Sequence, residues 1–220
     1  VGVSAGSNVT TGFQNVLIGG LAGDALTDAD YNVAIGYQAL SGDTLGSRSV
    51  ALGRIALLSQ NFTSATNAYN IAVGYGTGAQ ITTGLQNTLI GGLAGDAMTD
   101  ADNNVVMGYS ALTTNVLGSE SVAIGTFALN AQNPASATNM YNVAVGHNSG
   151  AAVTTGIKNT FIGGLAGDST TTADVNTAVG YAALGANTTG TFNVALGAFA
   201  LDANTTATRN TALGYNALTT

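Results

Sequence analysis

Few residues of this 220-residue chain could carry chemistry: four basic, eleven acidic, one histidine and no cysteine. Most of the acids fall in Asp24-Ala25-Leu26-Thr27-Asp28-Ala29-Asp30 and its copies at Asp96, Asp100, Asp102 and at Asp168, Asp174. Asp28-x-Asp30-x-Asn32 and Asp100-x-Asp102-x-Asn104 set oxygen ligands at alternate positions, as calcium loops do. That makes Asp28, Asp30, Asp100 and Asp102 candidate calcium ligands. The third copy has Thr172 in place of the first Asp, and no downstream Glu is placed to chelate with both oxygens. The competing reading, which the sequence favours, is a solvated turn that keeps the protein soluble. His147 follows a glycine at a position that elsewhere carries Tyr37, Arg54, Gly20 or Thr126, so it reads as an exposed, tolerant site. No Asp lies near it to complete a triad. Gly19-Gly20-Leu21-Ala22-Gly23 lacks the Lys and the following helix of a phosphate loop. The reading is therefore no enzyme and no cofactor, with calcium as the alternative.

Composition narrows the partners. A net charge of −7 and a pI near 4.1 argue against nucleic acid and against an anionic membrane surface. No apolar run reaches the ~18–20 residues of a membrane helix, so no membrane insertion is expected. Without cysteine there is neither a disulfide nor a thiolate metal site.

These residues are positioned by a repeat. The pentad Asn32-Val33-Ala34-Ile35-Gly36 recurs with its glycine at Gly19, Gly36, Gly53, Gly74, Gly91, Gly108, Gly125, Gly146, Gly163, Gly180, Gly197 and Gly214. Spacings are 17 residues, except 21 from Gly53 to Gly74 and from Gly125 to Gly146. Three residues before each glycine the side chain is β-branched; one residue before, it is aliphatic or Met. Residues two apart share a strand face, and the column between them is mostly Ala, so both faces are apolar and the strand should be covered on both sides. An invariant glycine implies positive φ or a backbone contact with no room for Cβ. Stacked units should make parallel strands rising ~4.8 Å each, a rod of roughly 58 Å. The fold predicted is all-β: a parallel β-solenoid of about twelve stacked 17- or 21-residue coils.

Four residues before the glycine stands Asn15, Asn32, Asn70, Asn87, Asn104, Asn142, Asn159, Asn176, Asn193 or Asn210, with Ser49 and Ser121 as exceptions. Stacked Asn can form a hydrogen-bonded ladder along the array; a row of ligand-binding amides is the alternative. A 72-residue period overlies the first, with blocks 2–73, 74–145 and 146–217 of one array, 1–220. Both ends fall in mid-unit, which reads as a segment of a longer fibre. The two long units should bulge, making Phe62, Tyr69, Pro134 and Tyr141 candidate contact residues.

Asn32-Val33-Ala34-Ile35-Gly36-Tyr37-Gln38-Ala39-Leu40 and Ser121-Val122-Ala123-Ile124-Gly125 resemble the head repeats of trimeric autotransporter adhesins (YadA-like heads). Asn176-Thr177-Ala178-Val179-Gly180-Tyr181-Ala182-Ala183-Leu184 is also similar to repeats of phage tail fibres and bacterial surface fibres. The resemblance covers essentially the whole chain, although these units are longer than the family's usual head unit. It implies a left-handed β-roll, a homotrimer, and an extracellular place on a cell surface or virion. The function implied is that of a structural fibre segment giving reach, stiffness and attachment, with itself and a host-surface receptor or glycan as partners. A thin coil that buries little apolar surface alone also favours association. The expected arrangement puts the β-branched face inside each coil and the Ala face against neighbouring chains. Alternatives are a head-to-tail extracellular filament and a glycan- or ice-binding β-solenoid module.

Overall fold

The computed structural model describes residues 1–219; Thr220, the last residue assigned to the array, lies outside them. All regular structure among the described residues is β, and it falls into two compact units, 1–106 and 107–220. In the first unit, β1 (Val16–Ile18), β2 (Val33–Ile35), β4 (Val50–Leu52), β6 (Ile71–Val73) and β7 (Thr88–Ile90) pair in parallel, each residue opposite its equivalent one coil on. A second ladder joins β3 (Gly46–Ser47) to β5 (Thr66–Asn67). After β8 (Val105–Met107), the second unit repeats the scheme with β10 (Val122–Ile124), β12 (Val143–Val145), β13 (Thr160–Ile162), β14 (Thr177–Val179), β15 (Val194–Leu196) and β16 (Thr211–Leu213). Its side ladder joins β9 (Gly118–Ser119) to β11 (Thr138–Asn139). The chain is a parallel β-solenoid of about twelve coils.

Each coil turns on three left-handed residues, five before the anchor glycine and two and four after it. Around Gly36 these are Tyr31, Gln38 and Leu40, with φ of 59°, 55° and 54°. The anchor itself has a φ no side chain adopts readily, +136° at Gly36, and a Cβ there would lie 2.4 Å from the carbonyl oxygen of Gly53. Both explanations for its invariance therefore hold at once.

The strand faces are the reverse of the expectation. The central residue points inward, and Ala34, Ala51, Ala72, Ala123, Ala144, Ala178 and Ala195 are fully buried. The flanking columns point out: Val16, Ile18, Leu52, Ile71, Ile162, Val194 and Leu196 are about two-fifths exposed. A three-residue strand has one inward position, and the lumen of so small a coil fills it with Ala. The bulk of the core comes instead from the columns after the glycine, such as Ala39-Leu40 and Ala56-Leu57.

The three largest central residues occur where that lumen is emptied elsewhere; Val106, next in size, has Gly on one side alone, at Gly95. Phe161 lies against Gly150 and Gly167, Leu89 against Gly78 and Gly95, and Leu17 against Gly6 and Gly23. In all three cases two successive coils carry Gly in the column that otherwise holds Leu. The residue three positions further on follows the same rule. After Gly it is Leu26, Ile81, Met98, Val153 or Thr170; after Leu it is Asp43, Gln60, Asn115, Gln132, Asn187 or Asn204.

Candidate functional site

The asparagine column is bonded chiefly to backbone. Asn32 Oδ1 accepts the Ser49 N–H at 2.8 Å while Nδ2 donates to the Gly46 carbonyl at 2.9 Å. Asn87 does the same to Asn104 N–H (3.0 Å) and Ala101 (2.8 Å), and Asn159 to Asn176 N–H (3.0 Å) and Ala173 (2.8 Å). Each primary amide thus stands in for a peptide group in the next coil's ladder. Direct amide-to-amide bonds are mostly longer, 3.3 Å from Asn87 to Asn70 and from Asn176 to Asn159, with Asn210 to Asn193 at 3.0 Å the exception. With both ends engaged and the column mostly buried, these amides are not presented to a ligand.

The two serines in that column are explained by Gln60 and Gln132. Gln60 Nε2 donates to Ser49 Oγ at 3.1 Å, and its Oε1 accepts from Asn70 Nδ2 at 2.9 Å. Gln132 makes the equivalent bonds with Ser121 and Asn142. Ser leaves the room that a glutamine from the adjoining corner fills. Asp43, fully buried, completes the first cluster: Oδ2 accepts from Gln60 Nε2 at 2.6 Å, and Oδ1 from the N–H groups of Gly46 and Phe62. Burial raises the Asp43 carboxyl above the usual carboxylate range, against the opposing pull of those donors. Asn115 occupies its place in the second cluster.

The calcium candidates do not converge. Asp28 accepts from Thr11 Oγ1 and Asp30 from the Phe13 N–H, each across one coil. Asp100 and Asp102 repeat this with Thr83 and Leu85. Among the described residues no group of three His, Cys, Asp or Glu is close enough to hold a metal ion.

The long coils also differ from the expectation. They do not simply bulge, since each longer coil carries a two-residue strand, β5 or β11, whose side ladder is tied by Ala68 N–H to Ser47 O or by Met140 N–H to Ser119 O. Phe62, 6% exposed, and Pro134 are buried, whereas Tyr69 and Tyr141 are half exposed.

What remains outward is a face four columns wide. Two strand columns, one of Val or Ile with Thr88, Thr160, Thr177 and Thr211 and the other aliphatic or Met, lie between one column five residues before the glycine and one just after it. Those outer columns contain all eight tyrosines, each at least 40% exposed, and all four basic residues, Arg48, Arg54, Lys158 and Arg209. Of the eleven acids only Glu120 shares them. His147 lies here as well, exposed, with its ring 6.5 Å from that of Phe127. The sequence carried this signal in its columns, but it is visible only once the outward face is known.

Comparison of the chain with protein-family profiles, characterised proteins and solved structures returns no match.

Proposed function

We propose that this chain is a structural segment of an extracellular fibre, the shaft or head of a surface adhesin or a phage tail fibre, built as a homotrimer. The observation that supports this most directly is the largely apolar strip of the outward face, aliphatic or Met in one column of every coil and Val, Ile or Thr in the other. Contiguous apolar surface of this kind marks association, and a strip that recurs with every coil matches a partner with the same period, which is another copy. Parallel hydrogen bonding from coil to coil within each unit, doubled by the asparagine column, supplies stiffness. The likeness of the pentads to adhesin-head and tail-fibre repeats supports the cell surface or virion as the setting.

Native mass by light scattering tests the reading. A value near three times 21.6 kDa is expected, and Val194→Lys with Leu196→Lys should lower it toward one chain. A monomeric wild-type chain at micromolar concentration would overturn it. Open-ended, concentration-dependent growth would favour a head-to-tail filament instead. A second reading, ice or glycan binding, draws on the regular threonine column: Thr154, Thr171 and Thr188 each donate Oγ1 to the carbonyl of the next threonine. Absence of thermal hysteresis would remove ice from consideration.

A further inference from the structure

The first unit carries an arrangement that its internal copy lacks. The coil anchored by Gly53 presents Arg48 before its strand and Arg54 after it. The preceding coil presents Tyr31 and Tyr37 at the same two places, and the following coil Tyr69 and Tyr75. Four tyrosines therefore frame two guanidinium groups. Arg54 lies between rings, its Cζ 5.8 Å from the centroid of Tyr37 and 5.6 Å from that of Tyr75, and donates to the Tyr75 hydroxyl at 3.3 Å. Arg48 sits 4.5 Å over Tyr31 and donates Nε to Asn67 Oδ1 at 3.0 Å. The partners holding both cations are uncharged, so their charge is positioned but not neutralised. Seventy-two residues on, the corresponding residues are Asn103, Tyr109, Glu120, Thr126, Tyr141 and His147. The buried glutamine–serine cluster is kept in that copy while this surface is not.

We propose that the Tyr37–Arg54–Tyr75 rail, with Tyr31–Arg48–Tyr69 on the opposite corner, binds an acidic polysaccharide. The proposal rests on the attachment reading above and names the ligand class. Charge complementarity carries it: in a chain of net charge −7 the basic side chains are confined to these outer columns, and an acidic ligand is what such confinement suits. The aromatic frame selects a carbohydrate among acidic ligands. Half-exposed tyrosine rings offer apolar surface to the C–H groups of sugars, and a guanidinium pairs its donors with a carboxylate or sulfate. The spacing agrees, because Tyr37 and Tyr75 are two coils apart, roughly 10 Å at ~4.8 Å per coil. That is close to the length of a disaccharide unit in an extended chain, with Arg54 at its middle. The rails also stay clear of the largely apolar strip. The Tyr31, Arg48 and Tyr69 column is itself a left-handed corner, and the Tyr37, Arg54 and Tyr75 column stands one residue before the next. Both lie where the backbone turns off the face, beside any contact that the strip makes with another copy.

The test uses the whole chain, titrated calorimetrically with polygalacturonate, dextran sulfate and unmodified dextran, with native mass measured in parallel. Binding of one or both acidic polymers and not of dextran is expected, and the preferred one identifies the acid group. Arg48→Gln with Arg54→Thr places residues that other coils carry there, as at Gln86 and Thr126. This pair should weaken binding at least about tenfold, the loss of one charge-assisted contact. Tyr37→Ala with Tyr75→Ala should do likewise, while Tyr109→Ala in the second unit leaves binding unchanged. Equal binding of dextran, no binding of either acidic polymer, or indifference to the tyrosine pair would overturn the proposal. So would a fall in native mass in the arginine variant, which would make the rails a contact between copies. Failure of the homotrimer reading shows separately, in the mass of the wild-type chain.

Discussion

Thr170 occupies a slot that Leu26, Ile81, Met98 and Val153 fill in equivalent coils, and its Oγ1 is buried with no hydrogen-bond partner. An unsatisfied buried hydroxyl costs about 1–3 kcal/mol. Thr170→Val keeps the shape and removes the hydroxyl, so it should raise stability by ~1 kcal/mol in chemical denaturation. Asp43 is the complementary case, a buried acid where the second unit uses Asn115. Its folded pKa lies above the unfolded value, so the folded state holds the proton more tightly. Its contribution is therefore most favourable below the unfolded carboxylate pKa and declines as pH rises from there to the raised folded value. Asp43→Asn should remove that decline and raise the thermal midpoint at pH 7; ~1 kcal/mol corresponds to about 2–4 °C in a chain of this size. Midpoints of both proteins between pH 3 and pH 7 isolate the effect. A midpoint lower than wild type at pH 7 would show that the carboxylate is worth more to Gly46, Phe62 and Gln60 than burial takes away.

Within a coil, side chains are chosen jointly. Replacing Gly95 by Leu, the residue at Leu112, would drive a side chain into Leu89 and Met98, since even a Cβ would sit 2.7 Å from the Met98 sulfur. Leu89→Ala alone should cost about 2–5 kcal/mol through the cavity it leaves. Combined, the two should cost at least ~1 kcal/mol less than their sum, the signature of residues sharing one space. Strands, period and glycine anchors were legible in the sequence because each is written in every unit. Orientation was not, because Val, Ala and Ile are all apolar and the most regular polar column, Asn, lies on the buried side. The solvent side is marked by scattered residues, Thr88, Thr160, Thr177 and Thr211 in the strand and the cations beyond it. The corners were hidden for another reason. Left-handed backbone is rare outside Gly and Asn, yet here it is taken by Tyr31, Ile55, Phe127 and Leu165. Phe62 and Pro134 looked like loop residues and are core, because the insertion containing each of them is itself paired. The coupling between the Gly or Leu column and the residue three further on is written in the sequence, but only across two columns taken together.

At the scale of the molecule, contacts run mainly between one coil and the next, so stability should behave as a sum over neighbours. Gly36→Ala puts a methyl group against the Gly53 carbonyl at an unfavourable φ, a loss of ~3 kcal/mol or more. Amide exchange should quicken in β1, β2 and β4 and remain slow in β13 to β15. Uniform acceleration through both units would instead show a single cooperative block. The rule that pairs two glycine-bearing coils with one large central residue also bears on how such a chain can change its length. Deleting the first glycine-bearing coil of a pair sets the Leu of the coil before it against the large central residue, whereas copying a whole 72-residue block such as 74–145 preserves every junction. Recombination and engineering should therefore tolerate edits in whole blocks far better than in single turns, and a solenoid of this kind can be extended by copying sentences, not letters.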